Sequence, residues 1–252
     1  MKTVVLITGA GKGLGSVIAE ACLEKGFVVY GTYRTSGDSP IKGVNYYKLD
    51  ITSDDECKKT ILKVIKKEKI IHVLINCAGV TISGPTLNYT ADDFLNLMDT
   101  NVGGAFRLMK YLSPYKPRLI INVTSLNSFL SLPNYGLYAA SKFALDAIGT
   151  AIRYELNPST KVVNVAPGAL LNENPVAKMV HKPVREKFPL LNLIIPLTKM
   201  RTVANEVIKL IGKEKVPTRV YVGRDAKMIS FMQKVLPERV IDRLFLFLWK
   251  KR

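Results

Sequence analysis

The sequence predicts a single α/β domain in which a parallel sheet of about seven strands is covered by helices on both faces. Three observations carry that expectation. Short β-branched runs alternate with longer amphipathic stretches from the first residues onward. The strand runs are apolar almost without interruption, the pattern of strands buried on both faces. No linker, repeat or low-complexity segment divides the 252 residues, a length that suits one domain with a sizeable core.

Residues 3–8 form the first expected strand, and apolar residues then recur at helical spacing from 14 to about 25. Further strands are expected at 27–33, 44–49, 72–76, 118–124, 161–166 and 219–222. Helical patterns at roughly 54–69, 91–112, 137–156 and 201–212 lie between them. Residues 167–196 break this rhythm with five prolines and no clear strand. Such a long insertion in a compact domain is expected to be a substrate lid, at about 168–200. Residues 1–223 are assigned to the domain with its lid, and 224–252 to a basic, apolar, helical tail of the same domain.

The turn after the first strand reads Thr8-Gly9-Ala10-Gly11-Lys12-Gly13-Leu14-Gly15 and leads directly into a helix. Glycines at this point let the backbone bend tightly and approach a pyrophosphate closely. The helix N-terminus then offers that anion free N–H groups and partial positive charge. Strand, turn and helix in this order predict a doubly wound Rossmann-type fold that binds a dinucleotide. Lys12 lacks the following Ser or Thr that a P-loop requires. The second strand ends Tyr30-Gly31-Thr32-Tyr33-Arg34-Thr35, with no acid for a ribose 2′-hydroxyl. Lys12 and Arg34 are expected to meet a 2′-phosphate instead, which favours NADP(H) over NAD(H).

Tyr138 and Lys142 stand four residues apart at the start of a long helix, and so on one helical face. A free tyrosine titrates near 10, too high for efficient acid/base work at neutral pH. A neighbouring ammonium, helped by a cationic nicotinamide, favours the phenolate. Ser125, thirteen residues earlier at a strand end, is placed to hold a substrate carbonyl oxygen. Together with the glycine turn, these residues strongly resemble the short-chain dehydrogenase/reductase superfamily in its single-domain form. The resemblance runs from Thr3 to about Gly223, through Asp50, Asn76-Cys77-Ala78-Gly79, Asn101, Ser125, Tyr138, Lys142 and Pro167-Gly168.

The resemblance implies that Tyr138 is the acid/base and that Ser125 orients the carbonyl and stabilises oxyanion charge. It implies that Lys142 assists Tyr138 and binds the nicotinamide ribose, and that Asn101 supports a water-linked proton relay through Lys142. Gly9, Gly11, Lys12, Gly13, Leu14, Gly15 and Arg34 would hold the phosphates. Asp50 and Ile51 would contact the adenine. Asn76, Ala78 and Gly79 would shape the cofactor cleft, and Pro167, Gly168 and Leu170 would line the nicotinamide pocket. Two departures stand out: Cys77 replaces a second Asn of the family's turn, and Asn172 stands where a Thr often binds the carboxamide.

The remaining chemistry is narrow. The three cysteines form no C-x-x-C pair and fit reduced cytosolic thiols, and the two histidines are far apart. Neither a metal site nor a histidine-centred triad is expected. The formal charge of +17 invites a polyanion, but its distribution argues against nucleic acid. Residues 1–177 hold 19 basic and 14 acidic residues, whereas 178–252 hold 18 and 6. The excess therefore sits on the lid and tail, where Leu244-Phe245-Leu246-Phe247-Leu248-Trp249 lies between Arg243 and Lys250. Such a segment is expected to touch an anionic membrane surface. No apolar run approaches the roughly 18 residues of a membrane span. The lid is rich in apolar residues, among them Val176, Met179, Phe188 and Leu191, which suits a hydrophobic substrate. The expected protein is thus a cytoplasmic NADP(H)-dependent oxidoreductase for a steroid-, retinoid- or lipid-like alcohol or carbonyl, working at a membrane surface, with a homodimer or homotetramer implied by the resemblance. Its alternatives are a 3-oxoacyl thioester reductase and a membrane-surface NADP-binding module with little turnover.

Overall fold

A computed structural model of the chain describes residues 2–35, 41–171 and 197–249. Val4, Val5, Leu6 and Ile7 carry no polar side chain to hydrate, and β1 (Val4–Ile7) buries all four. Alternate side chains of a strand point to opposite faces. Val5 and Ile7 therefore join one core, and Val4 and Leu6 the other. The next elements are α1 (Gly13–Glu24), β2 (Val28–Tyr33), β3 (Asn45–Lys48), α2 (Asp54–Glu68) and β4 (Val73–Asn76). Helix α2 shows why a helix begins and ends where it does. Ser53 accepts the Glu56 N–H at 3.3 Å, three acids occupy the first turn, and Lys66 and Lys67 occupy the last.

The chain continues through α3 (Ala91–Met98), α4 (Gly104–Leu112), β5 (Leu119–Val123), α5 (Gly136–Leu156) and β6 (Lys161–Pro167). After the short strands β7 (Leu170–Leu171) and β8 (Thr198–Lys199) come α6 (Met200–Ile211) and β9 (Arg219–Val222). Among the described residues, seven strands form one parallel sheet in the order β3-β2-β1-β4-β5-β6-β9. Each expected strand is present, with ends within one residue of the expected ones. Ile18 of α1 and Val203 and Val207 of α6 cover one face. Ile61 of α2, Leu108 of α4 and Leu145 of α5 cover the other. The order turns back between β1 and β4, so a crevice opens at their C-terminal ends, where open α/β sheets bind ligands.

Two details differ from the sequence expectation. The helix expected over 91–112 is interrupted by a π turn at Asp99–Gly103. The extra residue per turn directs the Asn101 side chain inward, where its amide meets the Val80 backbone, a use π turns commonly serve. The stretch expected to lack strands also carries a small parallel pair, β7 with β8, joining the two described ends of the lid segment. Residues 172–196 of the expected lid, including Asn172, lie outside the described residues. The tail is helical as expected, in two pieces: α7 (Arg224–Val235) and α8 (Glu238–Trp249), separated at Leu236 and Pro237. No described helix is long and apolar enough to cross a membrane.

Candidate active site

The glycine turn connects β1 to α1 at the crevice. Gly9 adopts a φ of +67°, and a Cβ there would stand 2.9 Å from the Ala78 Cα. At Gly15 a Cβ would lie only 2.1 Å from the Gly9 carbonyl oxygen. Both positions therefore exclude a side chain. Buried Thr8 ties the turn to the loop after β4, accepting the N–H groups of Cys77 and Ala78 at 3.0 Å each. No side chain caps α1, and its first turn holds no acid. With no such group among the described residues, its N–H groups and dipole are open to an anionic ligand.

That turn forms one wall of a cleft of about 590 Å³. Gly9, Lys12, Gly13, Leu14, Gly15, Arg34, Ile51, Ala78 and Gly79 line it. Arg34 is exposed at the end of β2, and the described residues there include no acid. The donor set and the uncapped helix fit a phosphorylated dinucleotide. A second cleft, of about 220 Å³, shares Leu14, Cys77, Gly79 and Val80 with the first, so the two are lobes of one groove. Ser125, Tyr138, Lys142, Pro167, Gly168 and Leu170 line this second lobe.

Lys142 is almost fully buried and donates from Nζ to the Val123 carbonyl at 3.1 Å. Its Nζ also stands 5.8 Å from the centre of the Tyr138 ring. The Ser125 hydroxyl oxygen accepts the Asn127 N–H at 3.1 Å, which leaves its hydrogen to donate to a ligand oxygen. Asn101 accepts from Val80 N–H at 2.8 Å and donates to Val80 C=O at 2.9 Å and to Ser141 at 3.0 Å. Ser141 in turn donates to the Tyr138 carbonyl at 2.7 Å. Asn101 therefore fixes the helical turn that carries Tyr138 through its amide bonds to Val80 and Ser141.

Three other residues singled out in the sequence stand away from the groove walls. Gly11 is buried within the turn. Asp50 accepts the Thr52 N–H and hydroxyl at 3.0 and 2.7 Å, and these bonds, with the charges of Arg34 and Arg107, hold its carboxyl below the usual range. Its neighbour Ile51 is the one that reaches the cleft. Asn76 is buried in the sheet and donates to Asn122 at 2.9 Å, which donates to Asn164 at 3.1 Å. Asn164 then donates to the Asp146 carbonyl of α5 at 2.8 Å. These in-register asparagines pin the helix bearing Tyr138 and Lys142 to the sheet. Cys77 lines both lobes, and burial pushes its thiol up to about 11, so it serves as a protonated, apolar wall.

Sequence reasoning missed Leu126, Leu132 and Tyr135, which also line the second lobe. Their one local signal is position, since they follow the C-terminal end of a central strand. It also missed Asp225, a buried carboxylate that accepts the Ala169 N–H at 2.6 Å. A Cβ at Gly168 would lie 1.8 Å from its Oδ1, so the glycine makes room for the acid.

A parallel sheet with a phosphate-binding turn at its switch point, opening onto a Ser, Tyr and Lys, defines a nicotinamide-dependent oxidoreductase. Comparison with known proteins agrees. The short chain dehydrogenase family profile matches residues 3–180, and the chain belongs to that family, whose members act on C=O and CH–OH groups. A 3-ketodihydrosphingosine reductase from Bacteroides thetaiotaomicron is 33% identical over 170 residues, 66% of this chain and 63% of that protein. An NADPH-dependent 1-acyldihydroxyacetone phosphate reductase from Schizosaccharomyces pombe is 31% identical over 218 residues, 79% of this chain and 74% of that protein. A crystal structure of a short chain dehydrogenase from Burkholderia cenocepacia in complex with NADP superposes with a TM-score of 0.79 at 26% identity. That superposition covers 99% of this chain and 98% of the other.

Proposed function

We propose that the protein exchanges hydride between NADP(H) and a hydrophobic carbonyl or alcohol, with Tyr138 as the acid/base. The observation that carries this reading is the meeting of Ser125, Tyr138 and Lys142 in a lobe continuous with the phosphate turn. When bound, the nicotinamide supplies or accepts the hydride. In the reducing direction Ser125 donates a hydrogen bond to the carbonyl oxygen and holds it beside Tyr138. The Tyr138 hydroxyl then protonates that oxygen. The buried Lys142 ammonium stabilises the phenolate that remains. Pro167, Gly168 and Leu170 would flank the nicotinamide, and Gly9, Gly13 and Gly15 would admit the pyrophosphate.

Lys12 and Arg34, on the walls of the first lobe, support the preference for NADP(H) through a 2′-phosphate. Val80, Leu126, Leu132 and Leu170 in the second lobe support an apolar substrate. The exposed Phe106, Phe143 and Tyr154 on α4 and α5 support a homodimer or homotetramer. We place the enzyme in the cytoplasm, with residues 224–252 touching an anionic membrane surface. The test is NADPH oxidation across long-chain ketones, steroids, retinals, 3-oxoacyl thioesters and small aldehydes, repeated with NADH. The reading expects turnover of apolar carbonyls with NADPH well above NADH. Preference for thioesters would replace the substrate assignment, and no turnover of any carbonyl would overturn the reading.

A further inference from the structure

Helix α7 has two faces with different chemistry. Its inner face is part of the substrate lobe's support. Ala226 and Ile229 pack with Leu126, Leu130 and Phe129, and Gln233 donates to the Phe129 carbonyl at 2.6 Å. Asp225 on the same helix holds the Ala169 N–H. Leu126 and Ala169 both line the lobe. Any surface that α7 contacts therefore stands beside the substrate cleft.

The outer face carries Met228, Phe231 and Val235, which are 38, 64 and 56% exposed. Their spacing of three and then four residues stacks them in one row. Exposed Arg224, Lys227 and Lys234 flank that row, and the only acid on α7, Asp225, is buried and bonded to the Ala169 N–H. Helix α8 adds exposed Val240 and Leu246 beside Arg239 and Arg243. Residues 224–252 hold eight basic and three acidic residues.

We infer that the outer face of α7, continued by α8, docks on an anionic lipid bilayer and sets the mouth of the substrate lobe at the lipid surface. Apolar side chains in a row with cations at their flanks match the acyl boundary and the headgroups at once. A nucleic acid would engage the cations and leave Phe231 in water. A second copy of this face would bring Arg224, Lys227 and Lys234 against the same three cations. An apolar substrate dissolved in the bilayer then reaches Ser125 and Tyr138 without crossing bulk water. This docking rests on the functional reading of that lobe and adds the source from which substrate arrives.

The test uses the full chain with vesicles of phosphatidylcholine, with and without phosphatidylserine, and two substrates, one water-soluble and one bilayer-dissolved ketone. The wild type is expected to sediment with the anionic vesicles and to be released by high salt. The double variant Phe231→Asp, Val235→Asp, altered only at exposed positions, is expected to lose vesicle binding by about tenfold or more. It should keep its rate on the soluble ketone and lose rate on the bilayer-dissolved one. Lys227→Glu with Lys234→Glu should abolish the preference for phosphatidylserine. Wild-type binding that is equal on both vesicles, or unchanged by these substitutions, would overturn the docking. So would a dimer in solution that the substitutions dissociate while no vesicle is bound. Failure of the wild type on every soluble carbonyl would instead overturn the functional reading, whatever the vesicles show.

Discussion

The two lobes of the groove are built by different means. The lobe proposed for the cofactor is shaped by backbone: a glycine turn too tight for side chains, a helix start with no side-chain cap among the described residues, and loops fastened by the Thr8 hydroxyl. Its glycine turn lies within one strand-turn-helix unit, and the ends of β2, β3 and β4 complete its walls. The lobe proposed for the substrate is made largely of side chains from the ends of β4 and β5, from α5 and from the loop after β6, the last braced by Asp225 of α7. A backbone site recognises what all dinucleotides share, namely phosphate and a narrow passage. A side-chain site can change its ligand one residue at a time while the first lobe stays as it is.

Lys142 stands where the lobes join, its Nζ 3.6 Å from where a Gly79 Cβ would be. Lys142→Met, which keeps the buried stem and removes the charge, should lower kcat by about a hundred- to ten-thousandfold. It should also weaken NADPH binding in fluorescence titration. A loss confined to one of the two would show the lobes to be independent at this residue. Arg34→Ala belongs to the cofactor lobe alone. It should raise KM for NADPH by roughly ten- to a hundredfold, the worth of a charge-assisted hydrogen bond, and leave KM for NADH and kcat unchanged. An equal rise for both cofactors would remove the 2′-phosphate assignment.

Asp225 gives the smallest effect and the finest distinction. One carboxylate oxygen holds Ala169 while the other, Oδ1, is buried and has no hydrogen-bond partner among the described residues. A good bond offset by an orphaned acceptor contributes little net stability. Asp225→Ala should therefore leave the melting temperature little changed while raising KM by about tenfold, because the loop of Pro167–Leu170 loses its brace. Asp225→Asn, which keeps an acceptor for Ala169, should restore most of that loss. Parallel falls in melting temperature and kcat would assign Asp225 to folding alone.

The same contrast governs what the sequence disclosed. All seven strands were legible because apolar runs buried on both faces have a local signature, as at Val4–Ile7 and Leu119–Val123. The glycine turn and the Tyr138–Lys142 spacing were legible for the same reason. The π turn at Asn101 was not, because it depends on a contact with Val80 twenty-one residues away. Asp225 and Ala169 are 56 residues apart, and the pairing of Asn76 with Asn122 spans 46. Buried polar contacts of that reach leave no periodicity in the chain. They determine how Tyr138 and the Pro167–Leu170 loop are held, while the residues proposed for the chemistry announce themselves locally.

The most direct test of the account is Tyr138→Phe, measured in parallel for NADPH affinity and for turnover of the best carbonyl substrate. The ring and its packing against Lys142 remain, and only the hydroxyl proposed as proton donor is removed. NADPH affinity within about twofold of wild type with turnover reduced by about a thousandfold is the predicted result. Turnover close to that of the wild type would contradict it.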